Sequence, residues 1–318
     1  MKRSSSWVLV GAAVCLLATA CGEAGPGSSG SGKGDLSGSI AIDGSSTVFP
    51  IAQAVAEDFQ IANPDVKVSV GFAGTGGGFE AFCAGETDIS NASRPIEAEE
   101  AACLEKAGIE FVEFQVGVDG LAVATNKATD WVDCLTFEQL QKLYAPGSKV
   151  TSWNQLDPSW PDQPIRIFGP DPDSGTYDYF AEEVADPDAD EPATRDDMTQ
   201  SADDNVLVQG VRGEEGSIGY FGYAYFAENA SELKALQVDP GDGTCVSPSP
   251  ETVQDNSYPL SRPLFFYVTA DGAQRPEVAS FVRFWVDGAP DFATAVGYMP
   301  APSGITADNQ DALEDLGA

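Results

Sequence analysis

The sequence contains no histidine. That removes the Ser-His-Asp triad, zinc sites with imidazole ligands and the usual acid–base group near neutral pH. Cations are scarce as well: 16 Lys and Arg stand against 50 Asp and Glu, a net charge of -34. A surface of that sign does not hold nucleic acid by neutralising phosphates, and it does not adsorb to anionic lipid. No internal repeat is visible, and no apolar run after the first segment is long enough to cross a bilayer. No glycine-rich stretch ends in the Gly-Lys-Ser/Thr of a nucleotide-binding loop. Gly-x-Ser-x-Gly is absent around Ser46 and Ser174, and neither serine starts a Ser-x-x-Lys.

What is present suffices for a large folded protein. The 318 residues are 42% hydrophobic, with 17 Phe, enough for a core shared between two lobes. Met1 to Ala20 reads as an export signal, with Lys2 and Arg3 before the apolar run Trp7–Leu17. Small residues precede Cys21, a pattern that resembles the lipobox of bacterial lipoproteins. Cys21 is therefore the expected lipidation site, and two acyl chains there would hold the protein to the outer face of the cell membrane. The Gly/Ser-rich stretch 21–34 reads as a flexible tether. Cys83, Cys103, Cys134 and Cys245 remain, an even number that favours two disulfides in an exported chain. Of three possible pairings, Cys83–Cys103 and Cys134–Cys245 are favoured. A zinc site is not expected, because the tight paired spacing is missing.

From Asp35 onward strand patterns alternate with helix patterns. Strands are expected at 39–42, 66–70, 88–92, 111–126, 165–168, 218–221 and 264–268. Helices are expected over 51–61, 75–84, 97–107, 136–144, 177–184, 205–212 and 277–286. The alternation predicts α/β lobes with mainly parallel sheets.

Hydroxyls and glycines gather where three of these helices begin. Ser45, Ser46 and Thr47 precede Pro50, which suits a first helical turn. Thr75 and Gly76 lie in the run Gly74–Gly78, where glycine lets backbone N–H groups approach a ligand. Asp173, Ser174, Gly175 and Thr176 form a third such turn after a strand. Ser93 and Arg94 add a hydroxyl and a planar guanidinium fork. Free N–H groups at helix starts, hydroxyls and one Arg together suit a tetrahedral oxyanion. Taken alone, each turn could be an ordinary capped turn, and Arg94 an ordinary surface ion pair.

The motifs "DGSSTVFPI", "GTGGGF", "DISNASRPI", "GPDPDSGTYDYF", "DDNVLVQGV", "GSIGYFGYAYF", "PLSRPLFFYV" and "VGYMPAP" follow one another in that order. With them the chain resembles the phosphate-binding lipoproteins of bacterial high-affinity phosphate ABC importers, in their actinobacterial form. The resemblance implies a type II periplasmic-binding-protein fold: two α/β lobes joined by a two-strand hinge, with the ligand cleft between them. Lobe one would comprise 35–121 plus 263–318 and lobe two 122–262, the hinge strands lying near Gly120–Ala124 and Leu264–Val268. It implies a monomeric, extracytoplasmic, lipid-anchored protein that captures inorganic phosphate for permease subunits, with no catalysis, cofactor, metal or nucleic-acid partner. Phosphate would be held by Ser45, Ser46, Thr47, Thr75, Gly76, Ser93, Arg94, Asp173, Ser174, Gly175 and Thr176. Two departures stand out. The best-studied members have an Asp where this chain has Arg94, and an Arg where it has Pro170. The group that accepts the proton of hydrogen phosphate is thus unassigned, with Asp173 and Asp43 as nearby candidates. The alternatives are another tetrahedral oxyanion such as sulfate or molybdate, a secreted esterase using Ser46 or Ser174, and an adhesion protein without a small ligand.

Overall fold

The computed structural model describes residues 36–172, 174–189 and 191–316, except for the side chain of Asp315. The expected signal, Cys21, the tether and Asp173 lie outside the described residues. The first part of the chain forms β1 (Gly38–Gly44), α1 (Phe49–Ala62), β2 (Val66–Val70), α2 (Gly74–Cys83), β3 (Ile89–Ala92) and α3 (Ala98–Ala107). It continues with β4 (Phe111–Asn126), β5 (Cys134–Thr136), α4 (Phe137–Tyr144), β6 (Arg166–Gly169) and α5 (Gly175–Phe180), which runs into a π-turn at Ala181–Ala185. Next come β7 (Thr199–Gln200), α6 (Asp204–Gly213), β8 (Ser217–Gly222), α7 (Tyr223–Asn229), β9 (Leu233–Ala235) and β10 (Gln237–Asp239). The chain closes with α8 (Pro250–Gln254), β11 (Ser261–Thr269), α9 (Pro276–Ala295) and α10 (Ser303–Leu316).

Local chemistry sets several boundaries. Pro50 occupies the first turn of α1, where its missing N–H costs nothing. Glu97 and Glu100 form a reciprocal capping box at the start of α3, and Gly108 ends that helix in a left-handed conformation. Thr136 and Gln139 cap α4 in the same reciprocal way.

The main sheet runs β2-β1-β3-β11-β4-β8-β6-β7, with β9 also on β4. It is less parallel than the alternating pattern predicts. β1 is parallel to β2 and β3, and β6 is parallel to β7 and β8. β11 and β4, in the middle, are antiparallel to every partner in the sheet. The parallel pairs come from strand–helix–strand crossovers. β4 and β11 instead join two such units, and local sequence carries no mark of that role.

Two cores flank this junction. One packs Ile40, Val55, Phe59, Phe114, Phe266, Phe281 and Trp285; the other packs Leu121, Leu140, Trp153, Phe180, Tyr220 and Leu260. On β4 the allegiance changes between Val116 and Val118. Leu260 belongs to the second core and Leu264 to the first. The second crossing therefore falls between Leu260 and Leu264, at the near end of the expected Leu264–Val268. Phe265–Val268 instead pair with β3, wholly inside the first half. An apolar aromatic run reads as a strand without revealing its neighbours.

The favoured cysteine pairing is the one formed. Cys83–Cys103 ties the end of α2 to α3, and Cys134–Cys245 ties β5 to the segment after β10. No helix among the described residues is long and apolar enough to cross a membrane.

Candidate anion-binding site

A cavity of 510 Å³ opens where the two halves meet. Its first wall is built from the turn after β1, the start of α2 and the residues after β3. Its second wall is the outer face of α5 and the π-turn, and its floor is Pro259 and Ser261–Pro263. Seven of the expected residues line it: Ser45, Ser46, Thr47, Thr75, Gly76, Ser93 and Arg94.

The first turn packs tightly by virtue of its glycines. Gly44 has φ +134° and lies so close to the Asn91 backbone that a side chain would collide with it. A Cβ on Gly78 would stand 2.4 Å from the Gly44 Cα, so α2 can start against the end of β1 only as glycine. Asp43 then links the two turns: its Oδ1 accepts from Gly44 N at 2.8 Å and Ala73 N at 2.9 Å.

The hydroxyls divide between scaffolding and site. Ser45 is buried, and its Oγ accepts from the N–H groups of Thr47 and Val48, which makes it a turn cap. Ser46 donates its hydroxyl to Asp178 Oδ2 at 2.8 Å, across the junction between the halves. Thr75 Oγ1 accepts from Ser93 N at 3.2 Å and lies 3.2 Å from Ser93 Oγ, which fixes the second turn to the end of β3.

The third turn sits differently. Ser174 caps α5, its Oγ accepting from Thr176 N at 3.3 Å. Thr176 is buried, and neither it nor Ser174 lines the cavity. Gly175 lies directly against Thr47: a Cβ there would be 3.0 Å from the Thr47 Cα. Its carbonyl accepts from Thr47 Oγ1 at 3.5 Å, and it lines an adjoining cavity of 520 Å³ with Ser46 and Phe72. The two halves thus touch through this turn.

Arg94 is at the mouth with its charge already engaged. Nη1 and Nη2 bind both oxygens of Glu100 at 2.9 and 2.8 Å, and Nε lies 3.1 Å from Glu97. The hydrogen-bonded Glu100 pushes the Arg94 pKa up. Burial works against the charge on Glu100, yet the Arg94 fork and the Glu97 N–H outweigh it and hold that carboxyl below its ordinary range.

The buried cation of the site is Arg262, which sequence reasoning passed over. It is 8% exposed. Its guanidinium lies 3.8 Å over the Tyr179 ring. Nη2 donates to Thr47 Oγ1 and, at 3.2 Å, to the Gly175 carbonyl; Nη1 donates to Ser93 Oγ at 3.4 Å. Nε faces Asp119 Oδ2 at 3.4 Å. One fork therefore reaches the first turn, the residue after β3 and the turn before α5. Its sequence signal was a cation inside an otherwise apolar strand, in a Ser-Arg-Pro that repeats Ser93-Arg94-Pro95. Asp178, Glu182 and Glu183 were missed too, although they line the opposite wall. Burial raises the Glu182 pKa, with Arg262 acting against the shift.

Chemically the site offers one desolvated guanidinium, hydroxyls on two sides, glycine backbone and a few carboxylates that can accept protons. A small oxyanion that still carries a proton satisfies both kinds of group.

The family model described as "PBP superfamily domain" matches residues 29–288. The chain is 40% identical over 319 residues to the phosphate-binding protein PstS of Staphylococcus saprophyticus, covering 99% of this chain and 96% of that one. It is 45% identical over 267 residues to the protein SphX of Synechococcus elongatus, covering 83% and 78%. Among solved structures, a possible phosphate binding protein from Planctomyces limnophilus is 47% identical with a TM-score of 0.85, covering 88% and 99%. A putative phosphate ABC transporter substrate-binding protein from Clostridium perfringens, solved with bound phosphate, is 27% identical with a TM-score of 0.52, covering 83% and 100%.

Proposed function

The chain belongs to the PBP superfamily, in the company of the phosphate-binding proteins named PstS, and we propose that it captures inorganic phosphate and hands it to an ABC permease. It acts as a binding protein without turnover. The observation that carries this reading is Arg262, a buried fork aimed into a cleft between two half-sheets and surrounded by hydroxyls. Phosphate would take the place at Nη1 and Nη2, with Thr47, Ser93 and the Thr75–Gly76 turn as further donors. Ser45 and Ser174 would act as caps that shape the turns, and Arg94 as a mouth residue. The lobes would divide near 35–121 with 263–318 and 122–262, the cores changing over a few residues earlier on β4. The export signal, the lipid on Cys21, the extracytoplasmic location and a monomeric state belong to the same proposal.

Asp178 and Glu182 support phosphate over sulfate. Hydrogen phosphate can donate its proton to a carboxylate in the wall, whereas sulfate has none to give and would meet a bare negative charge. The proton acceptor thus moves from the position of Arg94 after β3, where the best-studied members have their Asp, to the opposite wall.

Isothermal titration of phosphate into protein freed of anion tests the assignment. Arg262→Gln removes two charge-assisted hydrogen bonds of about 1.5–3 kcal/mol each, so affinity should fall at least about a hundredfold. Arg94→Ala should change it far less, because that guanidinium is held by Glu100 and Glu97. The opposite ranking would return the anion fork to Arg94. Asp178→Asn should narrow the gap between phosphate and sulfate, and unchanged selectivity would remove Asp178 from the role.

A further inference from the structure

Asp119 is a carboxylate for which phosphate binding has no direct use. It lies on β4 opposite Arg262 on β11 in the antiparallel register, and it is fully buried. Its Oδ2 meets Arg262 Nε at 3.4 Å, while its Oδ1 makes no hydrogen bond among the described residues. The guanidinium therefore has a back edge on Asp119 and a front edge on the cavity. The front edge does not need Asp119 to hold it. The Tyr179 ring, Thr47, Ser93 and the Gly175 carbonyl all fix it from other directions. The remaining ionisable groups near Asp119 are Asp204 of α6, Tyr179 of α5 and Tyr298 before α10, none of them a cation. Burial works against a charge on Asp119, and the Arg262 charge works for it.

We propose that Asp119 is a fixed counter-charge that weakens the pull of Arg262 on its anion, setting the affinity low enough for release and penalising a second negative charge. This rests on the reading of Arg262 as the anion fork. A carboxylate one guanidinium away from the ligand sits roughly 8 Å from it. At an effective dielectric of about 20 that repulsion is worth about thirtyfold in affinity per unit charge, so about a thousandfold for a dianion. A delivery protein gains from this, because weaker binding at a similar rate of capture means faster release. A buried ion pair also leaves Arg262 compensated when the cleft holds no ligand.

The test compares phosphate binding at pH 8, where the dianion dominates, in the wild type, Asp119→Asn and Arg262→Gln. Asparagine keeps the shape and can still accept from Nε. Asp119→Asn is expected to bind phosphate at least tenfold more tightly, and to gain less at pH 6, where the monoanion dominates. Unchanged affinity would mean that Asp119 carries no charge or is insulated. Weaker affinity would mean that its work is to hold Arg262 in place. Either result overturns the counter-charge. Because the unliganded variant has a bare buried Arg, release is also followed from phosphate-loaded protein, where it should slow at least tenfold. Failure of the loaded variant to fold counts against the proposal as well. If the wild type binds no phosphate, or Arg262→Gln binds as well as the wild type, the anion-fork reading falls first, and the two failures stay distinct.

Discussion

Gly175→Ala is a substitution whose effect can be worked out from one contact. Gly175 starts α5 with ordinary backbone geometry, so alanine is no strain there and should slightly favour the helix. Across the cleft, however, the new Cβ would stand 3.0 Å from the Thr47 Cα, 3.1 Å from its Oγ1 and 3.2 Å from its N. Ordinary contact needs about 0.4 Å more, and the obstacle is backbone in a tightly packed turn, which cannot swing aside. The halves must therefore stand further apart. The Gly175 carbonyl is now 3.2 Å from Arg262 Nη2 and 3.5 Å from Thr47 Oγ1. Adding about 0.4 Å takes both beyond hydrogen-bonding range. One charge-assisted bond and one neutral bond are lost from the closed state, about 2–4 kcal/mol together. Phosphate affinity should fall roughly thirtyfold to several hundredfold, chiefly through faster release, while the two separate cores keep the anion-free protein folded. Titration calorimetry with a parallel melting curve checks both halves. Wild-type affinity in a well-folded Gly175→Ala protein would refute the idea that this contact belongs to the binding-competent state.

Three further perturbations follow from the same structure. Asp43→Ala strips the acceptor from Gly44 N and Ala73 N and should weaken phosphate binding about tenfold by calorimetry; unchanged affinity would show that the turns hold without it. Burial, with help from Asp119 and Asp203 and against the Gly222 N–H, pushes Asp204 up to about 6 from an ordinary 3.8. The folded state thus holds that proton more tightly, so the stability it adds is full below pH 3.8 and lost as pH rises through 6, about 3 kcal/mol in all. Asp204→Asn should raise the melting temperature at pH 7.5 and barely move it at pH 4.5, and equal shifts at both would contradict the burial argument. Opening Cys134–Cys245 (separation 111) by double serine substitution should cost about 5 kcal/mol, against about 3 for Cys83–Cys103 (separation 20). Chemical denaturation ranks them, and the reverse order would show that loop length is not the governing factor.

The elements most legible in the sequence were those specified by neighbours along the chain. The turn at Ser45–Thr47, the glycine run Gly74–Gly78 and the Ser174 cap are short patterns with local consequences, and each helix begins where those patterns place it. Gly108 ended its helix for the same reason. Arg262 and Asp119 are 143 residues apart, and only the pairing of β11 on β4 makes them partners. Hydrophobic periodicity identifies both strands but is silent on register, so neither side chain stood out. Arg94 did stand out, as a cation beside a serine after a strand. Yet Glu97 and Glu100, three and six residues on, share a helical turn that folds back onto it. The carboxylates Asp178, Glu182 and Glu183 were hidden in a chain so rich in acid that no single one is conspicuous.

The place of β11 between β3 and β4 has a consequence for the order in which the molecule can be made. The half-sheet that contains the first residues of the domain stays split until Ser261–Thr269 arrive. Until then β3 and β4 each present an open backbone edge, and Phe114 and Ile89 lack the covering of Phe266 and Trp285. The second half, built from one continuous stretch that begins within β4 and ends near Leu260, can close earlier. A chain that emerges N-terminus first would thus finish its later half before its earlier one, and an interrupted or truncated product would carry sticky strand edges. Shortening the chain before Thr269 should therefore yield aggregation and not a smaller folded domain.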